Sequence, residues 1–169
     1  TGHRDTWVLG GIPKEGSLFN LIRGVVPTVK AVHFPMSGGC RFNCYISIDK
    51  KVDGETKQAA LVALGGCDFV KHVVVVDADI DIYNEEEVMW AVATRVQADQ
   101  DVDVIKNVKG NTLDPSQTDN IMTAKMIIDA TKPVQRPYEA RVAVPKAAME
   151  QTRLEDFIPR AVLAAQRLN

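Results

Sequence analysis

Three aspartates alternate along Asp77-Ala78-Asp79-Ile80-Asp81, a spacing that invites a divalent cation because Ca²⁺ and Mg²⁺ take hard carboxylate oxygens from short loops. The rest of a calcium loop is missing. With Asp77 as the first of twelve positions, Ile82 falls where the sharp turn needs glycine and Val88 where the bidentate glutamate belongs. The turn is therefore expected to act structurally, its carboxylates accepting backbone amides and favouring the N-terminus of the helix that follows. Cys40 and Cys44, in Cys-Arg-Phe-Asn-Cys, have a spacing that zinc sites use, but Cys67 is the one other thiol and His3, His33 and His72 are scattered. Small residues at the head of a strand are the simpler reading. Ser37-Gly38-Gly39 offers backbone amides to an anion, yet no helix follows it directly, and a hairpin turn fits better. His33 and His72 fall in strand-like stretches and read as structural histidines, and Trp90 as core or contact surface. No nucleophile with its base, no acid and base pair and no phosphate loop assembles from spacing. On its residues alone the chain reads as a non-catalytic α/β domain.

The elements that must carry these residues come from an ordinary globular composition. With 169 residues, 46% hydrophobic and 25% charged, the chain suits one domain with or without a tail, which excludes disorder and a disulfide scaffold. The net charge of -2 gives no reason to expect nucleic acid or an anionic membrane. Charge is uneven, however: nine acids and one base lie between Asp77 and Asp103, against thirteen acids and nineteen bases elsewhere. Such a segment is a solvated face or a docking face for a basic partner. No apolar run approaches the roughly 20 residues of a membrane span. Three cysteines in a chain that opens at Thr1 without a secretory leader lead us to expect free thiols, a cytoplasmic location and a fragment of something longer.

Periodicity supplies the order of elements. Residues 1–14, with Gly10, Gly11 and Pro13, read as a lead-in segment. Leu18, Leu21, Ile22 and Val25 make a short amphipathic helix that Pro27 stops, and residues 29–34 and 42–48 are strands expected to pair antiparallel. A helix from residue 53 is expected to end on Gly65-Gly66 as a glycine C-cap. Val73 to Val76 is too continuously apolar for an edge and reads as a central strand covered on both faces. Asn84, with Glu87 three residues on, opens the next helix, and residues 101–105 form a further strand. The fold class is α/β: a mixed β-sheet with helices packed on it, an irregular arm and a C-terminal helix. The core is expected at residues 15–109, a loop or arm at 110–145, and a helical tail at 146–169 with its final helix at 159–168.

From Lys71 to Asp99 the sequence runs KHVVVVDADIDIYNEEEVMWAVATRVQAD, which strongly resembles the UbiD family of decarboxylases. Leu113-Asp114-Pro115-Ser116, the run TAKMIIDAT at 123–131, the earlier LGGIPKE at 9–15 and VKAVH at 29–33 extend the likeness over most of residues 8–133. The resemblance implies the carboxy-terminal domain of a longer enzyme whose amino-terminal domain binds prenylated FMN with Mn²⁺ and K⁺. The parent would remove CO₂ from an aromatic or α,β-unsaturated acid, reversibly in some members, with the cofactor carrying the chemistry. It also implies that the catalytic set lies outside this chain, which alone would be inactive and would bind no cofactor. This segment would close the active site from one side, with Leu113, Asp114 and Pro115 facing substrate, and would mediate contacts in a homo-oligomer. A free-standing non-catalytic small subunit or interaction module with the same fold is the alternative. Partners are then the amino-terminal domain or a separate catalytic subunit, with no nucleic acid and no membrane span.

Overall fold

Val73, Val74, Val75 and Val76 lie in a strand with a parallel neighbour on each side, and all four are buried. The computed structural model of the chain describes residues 3–118, 120–139, 142 and 144–153, in two units, Thr1–Pro137 and Tyr138–Asn169. The first unit runs α1 (Arg4–Val25), β1 (Val29–His33), β2 (Asn43–Ile48), α2 (Glu55–Gly66), β3 (His72–Asp77), α3 (Glu85–Arg95), β4 (Val102–Lys109) and β5 (Met122–Ala130). Its sheet has the order β1-β2-β3-β5-β4; β2, β3 and β5 are parallel, and the edge strands β1 and β4 run antiparallel to their neighbours. In the second unit the described helix is α4 (Lys146–Gln151).

Side chains two apart on a strand share a face. Val73 and Val75 therefore join Ile46, Leu18, Ile22 and Ala63 in one core beneath α1 and α2, while Val74 and Val76 join Tyr45, Val88 and Ala91 in a second beneath α3. Each fully buried valine contributes about 1.5–3 kcal/mol by leaving water, which is why this run must be central. The expected α/β class, the mixed sheet, the central valine strand and the antiparallel pairing of the first two strands are all present. Val29 and Val32 reach the same core despite an odd spacing, because the β1 register shifts between Val29 and Ala31.

Four expectations need correction. Residues 1–14 are not a lead-in: they are helical from Arg4, and Pro13 sits inside α1. Packing overrides propensity there, since Gly11 is buried and a Cβ on it would lie 3.0 Å from the Cβ of Cys40. Gly65 and Gly66 do not cap α2 but belong to it; the capping residue Cys67 is extended, and buried Lys125 of β5 donates to the carbonyl of Leu64 at 3.0 Å. A strand from elsewhere in the chain thus satisfies the helix end that glycine was expected to serve. Asn84 does cap α3, its side chain accepting from the Glu86 amide at 3.1 Å, whereas Glu87 reaches the Asp81 amide instead of closing a capping box. The largest correction concerns residues 110–145, expected as a loop or arm. They contain β5, which lies between β3 and β4. Buried positions alternate at Thr123, Lys125 and Ile127 before Ala130 joins the opposite core, so two of the three alternating side chains are polar and hydrophobicity does not reveal the strand. The helix expected at 159–168 lies outside the described residues.

Candidate functional site

The chain places charge at both ends of the parallel strands. At their carboxyl ends, the Asp77 to Asp81 turn faces two cations. Arg95, its side chain 2% exposed, donates to Asp77 at 2.7 Å and to Asp79 at 3.0 Å, and Lys132 donates to Asp79 at 2.8 Å. The Lys132 amide also donates to Asp77 at 2.8 Å, and Asp81 accepts the Tyr83 amide at 2.9 Å. Burial raises the Asp77 pKa, against the pull of that amide and of Arg95. Burial acts the same way on Asp79, but the hydrogen bonds from Arg95 and Lys132 prevail and lower it. The amide acceptance expected of this turn is therefore real at Asp77 and Asp81, while the dominant partners are cations from α3 and the segment after β5.

At the amino ends, the turn chemistry of residues 110–118 folds the chain into a loop whose centre is a carboxylate. Gly110 donates to the Ile121 carbonyl at 2.7 Å, which closes the loop at its base. Asn111 accepts the Leu113 amide at 3.0 Å in an Asx turn and donates to Asp68 at 3.0 Å. Asp114 is buried and turned inward; it pairs with Lys71 at 2.9 Å and accepts the Ser116 amide at 3.0 Å, the Ser116 hydroxyl at 2.9 Å and the Thr123 hydroxyl at 3.3 Å. Burial opposes ionisation here, but the hydrogen bonds from Lys71 and Ser116 hold its pKa down at about 2. Lys71 also donates to the Ser116 hydroxyl.

Beside this loop opens a cavity of about 460 Å³, lined by Lys71, Ser116, Thr118 and Thr123, by Lys106 and Asn107 of β4, and by apolar Val104 and Met122. Asn107 and Ile121 both have positive φ, at 59° and 57°. Asparagine tolerates the left-handed region, but for β-branched Ile121 it is a strained conformation, of the kind that gathers at ligand sites. Of the residues expected to face substrate, Leu113 and Pro115 are exposed on the loop and Asp114 braces it from inside; none of the three lines the cavity. Sequence reasoning missed Lys71, Lys106, Ser116, Thr118 and Thr123, because they converge from the residue before β3, from β4, from β5 and from the loop, and no spacing records that.

The remaining candidates are internally satisfied. His33 pairs with Glu15 at 2.9 Å and lies against the Tyr83 ring at a tilt of 53°, and His72 meets Asn43 at 3.0 Å. Cys40 and Cys44 are buried, and burial pushes both thiols up, so neither is a ready thiolate. Trp90 packs against the second core with Arg95 over its ring.

Comparison with known proteins bears on the region that holds both ends. The model of the 3-octaprenyl-4-hydroxybenzoate carboxy-lyase C-terminal domain matches residues 7–130. Anhydromevalonate phosphate decarboxylase of Aeropyrum pernix is 42% identical over 126 residues, which cover 75% of this chain and 29% of that protein. Gallate decarboxylase of Lactiplantibacillus plantarum is 35% identical over 138 residues, covering 74% of this chain and 28% of its own. The solved UbiD-class enzyme HmfF from Pelotomaculum thermopropionicum, in complex with FMN, superposes with a TM-score of 0.83 at 44% identity, over 90% of this chain and 34% of that one. This chain thus spans less than a third of the length of these two curated relatives.

Proposed function

Because the chain belongs to the UbiD family through its carboxy-terminal domain, we propose that it serves a full-length decarboxylase acting on an aromatic or α,β-unsaturated carboxylic acid. In that reaction the bond to the carboxylate breaks, CO₂ leaves and a proton takes its place, or the reverse. The observation that carries this reading is the domain match over residues 7–130, which takes in the whole sheet and the Asp114 loop.

The described residues around this cavity do not fit the flavin or its metal. Among the described residues no three His, Cys, Asp or Glu side chains gather to hold an ion, and the cavity lining has no aromatic ring to stack on an isoalloxazine. Prenylated FMN, with Mn²⁺ and K⁺, is therefore assigned to the part of the relatives that this chain does not span. The role of this chain is to close the site and exclude water, and the loop is suited to it. Asp114 anchors the loop through four hydrogen-bonding groups while Leu113, 57% exposed, is left free to press on a substrate. Pro115 stiffens the turn beside it. Homo-oligomerisation and a cytoplasmic location complete the proposal; the three cysteines are free thiols, as a reducing compartment requires, and no described helix is long and apolar enough to cross a membrane.

Leu113→Ala in the full-length enzyme tests the loop. Loss of the leucine contact is expected to lower kcat/KM about tenfold with the flavin content unchanged. Full activity in that variant removes the loop from the active site. A yellow, flavin-retaining preparation of this 169-residue chain alone overturns the assignment of the cofactor elsewhere.

A further inference from the structure

We propose that the cavity between β4 and the Asp114 loop is an oxyanion site, with Lys106 as its charge, and that it takes a phosphate or a carboxylate group of an acidic substrate. The first support is the way β4 is built there. Adjacent residues of a regular strand point to opposite faces, yet Lys106 and Asn107 both line this one cavity. They can do so because the register with β5 shifts between Ile105 and Val108 and Asn107 adopts a left-handed backbone at φ 59°. A bulge that breaks alternation aims two polar side chains at one place and gives up ladder pairing to do it.

The second support is charge. Among the described lining residues there is no carboxylate. Lys71 is already neutralised by Asp114, which approaches it from the loop and is not part of the wall. Lys106 has no ion-pair partner among the described residues, so it leaves the wall with one uncompensated positive charge. Beside it stands the Asn107 amide, able to donate to oxygen, while the hydroxyl protons of Ser116 and Thr123 go to Asp114 and that of Thr118 to the Met122 carbonyl, so those three side chains line the wall without being free donors. At about 460 Å³ the cavity is in the range that small-molecule sites occupy. Val104 and Met122 add an apolar side against which the carbon skeleton of an acid can lie.

The anion's identity as part of a substrate rests on the decarboxylase reading, but its binding does not. Titration of the chain with inorganic phosphate and, separately, with acetate, followed by amide chemical shifts, distinguishes the two chemistries. At least one anion is expected to move the amides of Lys106, Asn107, Ser116 and Thr123 saturably. Lys106→Gln is expected to weaken that binding about tenfold, the value of one charged hydrogen bond, while Lys109→Gln, which removes the same charge outside the cavity, changes it less than about twofold. Equal weakening by the two variants, or no saturable shift at these amides with either anion up to about 10 mM, overturns the site. Since nothing in this experiment requires turnover, its failure leaves the decarboxylase reading standing, and failure of the Leu113 test leaves the anion site standing.

Discussion

The two ends of the parallel strands hold similar numbers of charged groups and use them in opposite ways. At the carboxyl ends, where open α/β sheets commonly bind ligands, two carboxylates and two cations are consumed by one another around a guanidinium that is 2% exposed. At the amino ends one pair, Lys71 with Asp114, fixes a loop and leaves Lys106 facing a cavity. Charge density therefore does not locate a site. What distinguishes the ends is whether each charge already has its partner, and whether the backbone has been bent to present one that does not.

That contrast is broken most severely by Arg95→Met. Removing the guanidinium leaves Asp77 half-buried without its main cation, and the chain is expected to lose about 3–5 kcal/mol, read as a fall in the urea midpoint. A loss below about 1 kcal/mol would mean that the carboxyl-end cluster is no lock. At the other end, Asp114→Ala strips the loop of its anchor and is expected to cost about 1–3 kcal/mol. Hydrogen exchange sharpens this case: amides of residues 111–118 should lose protection while those of Val73 to Val76 keep theirs. Uniform loss across both would make the loop part of the core.

Acid titration separates the ends by sign. Asp114 has its folded pKa lowered from 3.8 to about 2, so its contribution is present above 3.8 and disappears as the pH falls towards 2. Asp77 is raised, so the folded state holds its proton more tightly and its contribution to stability grows as the pH falls through its folded value. Unfolding midpoints of Asp114→Asn and Asp77→Asn against the parent should therefore converge with acid in the first case and diverge in the parent's favour in the second. Parallel pH profiles would contradict the contrast. The smallest effect is expected from Leu113→Ala, within about 0.5 kcal/mol of the parent, because its side chain stands largely in water. A larger loss would make Leu113 a packing residue and not a contact.

How much was legible follows from the kind of signal each part carries. The valine strand could be read because four consecutive apolar residues have one stable environment, covered on both faces. The α3 N-cap could be read because Asn84 acts on an amide two residues away. The Asp77 to Asp81 turn was half legible: its type excluded a calcium loop, but its partners Arg95 and Lys132 are 16 to 55 residues distant. The Asp114 loop was reached through family resemblance together with its turn residues. Lys71, which holds it, was not.

Local properties, then, were decided by the sequence itself: which segments are apolar enough to be central, where turns fall, and which motif lacks the positions of a calcium loop. Tertiary structure alone decided the rest. It placed β5 inside the sheet although its buried face carries Thr123 and Lys125, because Lys125 finds the open end of α2 and Thr123 finds Asp114. It kept α1 helical across Pro13, and it bent β4 so that Lys106 and Asn107 share a cavity. The physical reason is contact at a distance: Gly11 of α1 packs on Cys40, β4 pairs with β5, and β5 meets α2 and Asp114. A buried polar group or a strained backbone is tolerated only when a partner far along the chain satisfies it, and sequence spacing holds no record of which partner that will be.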